Sequence, residues 1–181
     1  MKNNRSHEVI DLFKRIENPN EVVMKLFFNA CAQLGTPDAL DTMKNFAMNM
    51  SETDRANPNI LTNLFNTLVK CGDCSTAEII FSKIKRTLID YGNLMNGFNK
   101  EDRPEKTLKL FDQMKIDSIE PDVIIYLSVI KALSEIGIFE LSETIIEQMP
   151  KSFLIDNKIR VALVDMWVSF NKFVRFLILK R

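Results

Sequence analysis

The 181-residue sequence predicts an all-α fold, an α-solenoid of stacked helix-turn-helix repeats, and three observations carry that prediction. Turn residues fall at 35, 72, 102 and 137, separated by 37, 30 and 35 residues. Between them, apolar residues recur three and four apart, the spacing of one buried helix face. Each segment is also double, a first amphipathic stretch ending at the turn and a second of about three turns behind it. A period in the thirties built from helix pairs marks a solenoid, because one pair alone cannot bury its apolar face.

Taken in order, Val9, Ile10, Leu12, Phe13 and Ile16 form a helical apolar stripe, so the chain is expected to begin inside its first element. The opening "MKNNRSHEVIDLFKRI" has no apolar core and carries acids among its bases, unlike a targeting segment. The first helices of the pairs are "NEVVMKLFFNACAQLG" to Gly35, "NILTNLFNTLVKCGD" around Gly72, "LIDYGNLMNGFNKED" turning near Asp102, and "DVIIYLSVIKALSEIG" to Gly137. "TAEIIFSKI" and "EKTLKLFDQM" are second helices. In the latter, Leu108, Phe111, Met114 and Lys115 make a buried stripe with one solvated edge, and Pro104 suits a first helical turn. The β-branched "VIIY" has a strand's local propensity, but it occupies the place of "EVVM" and "LIDY" at the head of a first helix, and the repeat decides.

Composition narrows the function. Hydrophobic residues at 46% and charged residues at 27% describe a folded, soluble chain. The longest apolar run, "VIIYL", is far too short to cross a membrane. Basic and acidic residues balance at 24 each, so any polyanion binding has to come from local placement rather than net charge. Three cysteines, an odd number without framework spacing, suit a reducing compartment.

Residues 88–122, "LIDYGNLMNGFNKEDRPEKTLKLFDQMKIDSIEPD", resemble the pentatricopeptide repeat at full length. The resemblance rests on "Y-x-x-L-M-x-G-F", then "R-P-E-K-T-L-x-L-F-D-Q-M", then the closing "I-x-P-D" of Ile119 to Asp122. "FNTLVKCGDCSTAEIIFSKI" is similar to the short type of that repeat, and the segments ending at Gly35 and Gly137 to the long type. The implied organisation is a partial repeat at 1–19 (second helix only), a long-type repeat at 20–57, a short-type at 58–87, a standard one at 88–122 and a long-type at 123–155. A truncated or divergent repeat closes the chain at 156–181, since "VSFNKFVRFLILKR" lacks a turn glycine and a second-helix pattern. The array is expected to continue beyond this chain.

The family implies single-stranded RNA as partner, each repeat offering side chains to one unstacked base. Its two principal positions are the fifth residue, on the inner face of the first helix, and the last. Here these fall on Thr62 with Thr87, Gly92 with Asp122, Lys25 with Asn57, and Leu127 with a partner near Asp156, while Asn20 closes the partial repeat. Val22, Ile89 and Ile124 take the place of a wedge between bases. Gly92 has no side chain to reach a base, Leu127 cannot hydrogen-bond, and Val161 holds the corresponding place in the last repeat, so no target sequence can be read. Without the resemblance, Thr62 is a helix-surface residue, Asp122 an N-cap, and Tyr91 and Tyr126 core residues. Lys83, Lys85, Arg86, Lys100, Arg103, Lys106 and Lys109 then form a solvated face rather than phosphate contacts.

No catalysis is expected. Cys71 and Cys74 form a CxxC pair, but a redox dithiol needs a βαβ setting, and zinc needs two further ligands where only Cys31 and His7 remain, both remote in sequence. The pair is read as structural thiols at a turn. Longer relatives of the type that alternates long, short and standard repeats often carry a C-terminal cytidine deaminase domain requiring His-x-Glu and Cys-x-x-Cys, which His7-Glu8-Val9 does not supply. No cofactor, metal, membrane or small-molecule substrate is expected. The reading is an RNA-binding specificity module in organellar RNA processing or editing, mitochondrial by resemblance and otherwise cytoplasmic, with an editing or processing enzyme as partner. The alternative is a protein–protein interaction scaffold on a tetratricopeptide-like solenoid, which the neutral charge and degenerate base-facing positions favour.

Overall fold

The computed structural model describes residues 2–179, with side chains from 5 to 170. Met1, Lys180 and Arg181, at the ends of the expected first and last units, lie outside the described residues. All regular structure among the described residues is α-helical, and it falls into two compact units, 1–86 and 87–181.

The first unit holds α1 (Lys2–Phe13), α2 (Glu21–Leu34), α3 (Pro37–Met48), α4 (Glu52–Arg55), α5 (Pro58–Lys70) and α6 (Cys74–Phe81). Its helices begin on caps that the sequence supplies. The Asn20 side chain accepts from the Val23 amide, Thr36 caps α3 with Pro37 behind it, and Asn57 caps α5 with Pro58 behind it. Gly35 closes α2 in the left-handed region at φ 59°, which a glycine adopts without a Cβ clash. Helix α2 packs on α1, α3 and α5, and α5 on α6. An aromatic cluster fills the middle: Phe13 stacks on Phe27 at 3.9 Å between centroids, and Phe46 meets both edge-on.

The second unit holds α7 (Leu88–Lys100), α8 (Pro104–Ile116), α9 (Val123–Ile136), α10 (Phe139–Glu147), α11 (Lys151–Leu154) and α12 (Asn157–Leu179). Thr87 and Asp90 form a reciprocal capping box at the start of α7. Asp102 takes φ 53° in the turn before Pro104, the first residue of α8. Helix α9 packs on α7, α8 and α12, and buries Ile125, Tyr126, Val129, Ile130, Ala132 and Leu133. "VIIY" is thus the first turn of a helix, as the repeat register requires.

Three local features differ from the sequence reading. The buried stripe of α8 is Thr107, Leu110, Phe111 and Met114, with Leu108 only partly covered. Lys115, on the exposed edge, holds its ammonium over the Phe111 ring at 4.7 Å from the centroid. Helix α6 has 8 residues rather than three turns, because Ser82 and Lys83 close it with turn hydrogen bonds to Glu78 and Ile80. Short helices α4 and α11 occupy segments with no periodicity to announce them; Ser51 caps the former and Pro150 precedes the latter.

Candidate functional site

In the second unit a cleft of about 400 Å³ runs between α7 and α9. Of the residues singled out in the sequence, it gathers Ile89, Gly92, Asp122, Ile124 and Leu127. Ile89 and Ile124 project at 72% and 64% exposure, large apolar surfaces that the fold leaves uncovered. A Cβ built on Gly92 would meet nothing nearer than the Ile125 Cδ1 at 3.5 Å, so a side chain's first carbon fits there in ordinary contact with α9. The Asn99 amide of α7 donates to the Ser128 carbonyl of α9 at 2.8 Å. Gly92 therefore faces the start of α9 and Asn99 its middle, and the two helices run in the same direction.

A buried polar network holds this arrangement. Asn99, 2% exposed, accepts from the Thr107 hydroxyl at 2.7 Å, and Thr107 also reaches the Met95 carbonyl at 3.1 Å. One amide thus links α7, α8 and α9, and each buried polar atom in it has a partner.

The last-residue positions share one structural role. Asn20, Asn57, Thr87, Asp122 and Asp156 each accept backbone amides at the start of the helix that follows. Thr87 is committed further, its hydroxyl donating to Asp90 at 2.7 Å, and Asn57 donates to Glu21 at 3.1 Å. Asp122 caps α9 through Oδ1 and also lines the cleft, so a carboxylate acceptor stands in its wall at the start of α9.

In the first unit, Val22 is 66% exposed and Lys25 is exposed, both on α2, while Thr62 is half-buried on α5. Thr87, at the head of α7, belongs to the second unit. Val161 is exposed on α12. Tyr91 is fully buried with its hydroxyl donating to Asp117 at 2.7 Å, and Tyr126 packs between Phe111 and Phe153. Neither ring is available to stack on a base. Arg86 lies over Phe81, and Arg103 and Lys106 over Phe98, so part of the basic region covers aromatic surface, while Lys83, Lys85, Lys100 and Lys109 are exposed.

The cysteines meet differently from their spacing. The Cys71 thiol lies 3.9 Å from the Cys31 carbonyl, so Cys31 is remote in sequence and adjacent in space. Burial, then the neighbouring Cys71, pushes the Cys31 thiol up to about 12, and burial raises Cys71 as well. Thiols held protonated in this way are poor nucleophiles and poor metal ligands. At the same turn, Asp73 caps α6 and meets Lys44 at 2.6 Å; burial pushes its carboxyl up, but the Lys44 and Thr76 contacts outweigh this and hold it low.

The cleft also contains residues the sequence reading passed over: Asn93, Asn96, Asn99, Ser128 and Lys131. Their signal was present as helical spacing, since Asn96 and Lys131 each stand seven residues beyond Ile89 and Ile124, on the same helix face.

Residues 89–119, which form α7, α8 and their turn, match the family model described as PPR repeat. Similarity to pentatricopeptide repeat-containing proteins extends well beyond these residues. A chloroplastic one from Arabidopsis thaliana is 28% identical over 93% of this chain, and a mitochondrial one from the same plant 25% identical over 91%. The mitochondrial protein OGR1 of Oryza sativa subsp. japonica is 30% identical over 74%. The chain spans 21%, 25% and 23% of the lengths of these relatives. Among solved structures, the pentatricopeptide repeat protein PPR10, in complex with an 18-nucleotide psaJ RNA element, superposes with a TM-score of 0.57 at 18% identity. That match covers 87% of this chain and 24% of PPR10. The likeness shows the fold, an α-solenoid of helical repeats.

Proposed function

We propose that the chain is a single-stranded RNA-binding module of pentatricopeptide repeats, a specificity element for organellar RNA processing or editing whose chemistry is supplied by a partner enzyme. The observation that carries this reading is the α7–α9 cleft. It places two exposed isoleucines, an open helical glycine and an acceptor carboxylate where a splayed base could be wedged and addressed. The RNA bound by PPR10 and the names of the chloroplastic and mitochondrial relatives support it. Within it, the repeats are assigned as 20–57 and 123–155 (long), 58–87 (short) and 88–122 (standard), with a partial repeat at 1–19 and a truncated or divergent one at 156–181. Thr62, Lys25 and Val22 serve the first unit as Gly92, Asp122, Ile89 and Ile124 serve the second. A mitochondrial location is part of the same proposal.

The apolar lining from Ile89, Ile124 and Leu127, together with zero net charge, favours one competitor, a groove for a protein segment. Selection from a random single-stranded RNA pool separates the two. The RNA reading predicts retention of the pool with few informative positions, because Gly92 and Leu127 discriminate poorly. A chain that retains no RNA above an unrelated helical protein is not an RNA module.

A further inference from the structure

The chemistry of the cleft changes along its length. At its start stand Ile89 and Ile124, with the Asp122 carboxylate beside them; seven residues on, about 10 Å along both helices, stand Asn96 and Lys131. Among the residues lining the cleft, Lys131 carries the positive charge and Asp122 the negative one, and they mark opposite ends. Asn96 is exposed and offers two N–H donors. Lys131 is 53% exposed and held loosely by Glu135, one turn on, at 3.7 Å, an ion pair too exposed to neutralise it.

We propose that Asn96 and Lys131 form a phosphodiester subsite at the far end of this cleft. The inference rests on the RNA reading and goes beyond it by fixing which way the strand lies. A backbone phosphate near Asp122 would face a carboxylate, whereas at Lys131 it meets an ammonium and an amide donor. The base edge therefore sits at the isoleucine end and the backbone crosses at Asn96 and Lys131. Such a contact positions the strand without reading sequence. It is invisible in the net charge, because one lysine in the right place suffices.

The test is a salt series of binding to a mixed-sequence single-stranded RNA, using the full chain and its variants Lys131→Gln, Lys131→Arg, Asn96→Ala and Glu135→Gln. Lys131→Gln is expected to weaken binding about three- to fivefold at low salt, the size of one exposed charged contact. It should lower the salt slope by about 0.7, one single-strand phosphate. Lys131→Arg keeps the slope, Asn96→Ala weakens binding, and Glu135→Gln, which releases Lys131, tightens it. On a strand with uncharged methylphosphonate linkages, the unsubstituted chain and Lys131→Gln should bind alike. RNA binding with an unchanged slope in Lys131→Gln, or an equal loss on the uncharged strand, overturns the subsite and leaves the RNA reading standing. No RNA binding by the unsubstituted chain overturns both.

Discussion

Gly92 offers the most direct perturbation of the cleft. It sits inside helix α7, where glycine costs about 0.5–1 kcal/mol relative to alanine. An added Cβ finds only the Ile125 Cδ1, at an ordinary contact distance of 3.5 Å, so Gly92→Ala should recover that cost without strain. For a unit of this size the gain corresponds to a rise in Tm of about 2–8 °C. Gly92→Asn adds the same Cβ and an amide in the cleft that Asp122 and Leu127 also line. Its weak helix propensity should cancel most of the stability gain. If a base lies there, one new hydrogen bond worth about 0.5–1.5 kcal/mol raises RNA affinity roughly two- to tenfold. Thermal unfolding and fluorescence anisotropy on one RNA read the two effects separately. A Gly92→Ala variant destabilised by more than about 1 kcal/mol would show that the space is closed. Equal RNA affinity for Gly92→Asn and Gly92→Ala would refute the placement of the base.

Two further predictions concern what holds the site and its neighbour. Asn99→Leu removes the link between α7, α8 and α9 and leaves Thr107 with one partner fewer, so it should cost about 1–3 kcal/mol in denaturant unfolding; a change near zero would mean that packing alone sets the helix spacing. Cys31 gives a pH signature. Its folded-state thiol is raised from 9.0 to about 12, so the unfolded chain ionises first. Its stabilising contribution is intact below about pH 9 and is lost as the pH rises from there through 12. The advantage of the unsubstituted chain over Cys31→Ala should shrink across that window by up to about 1.4 kcal/mol per pH unit, and a constant difference would contradict the burial argument.

Much of this architecture was legible in the sequence because its determinants are local. Asn20, Asn57, Thr87 and Asp122 cap helices through their own side chains, and Gly35 and Gly137 supply the left-handed turns, so spacing alone located the helix pairs. "VIIY" shows the limit of propensity: its residues favour strand, but Ile125 and Tyr126 are buried by α9 packing on its neighbours. What escaped depended on three-dimensional placement. The Asn99 amide finds its partners only where α8 brings the Thr107 hydroxyl and α9 the Ser128 carbonyl. Cys31 and Cys71 are 40 residues apart and meet only when α2 packs on α5. Tyr91 gave a clearer signal, since a core tyrosine needs a hydroxyl partner, which Asp117 provides. Of the site, the code-like positions were placed by register, whereas Asn96 and Lys131 were hidden because a solvated helix face and a cleft wall share the same periodicity.

The most direct test of the central claim is equilibrium binding of the purified chain to single-stranded RNA and to duplex DNA of equal length across a salt series. The account predicts preference for the single strand, with affinity falling as salt rises at a slope of a few phosphate contacts. Equal binding to both polymers, or no single-strand binding at low salt, would contradict it.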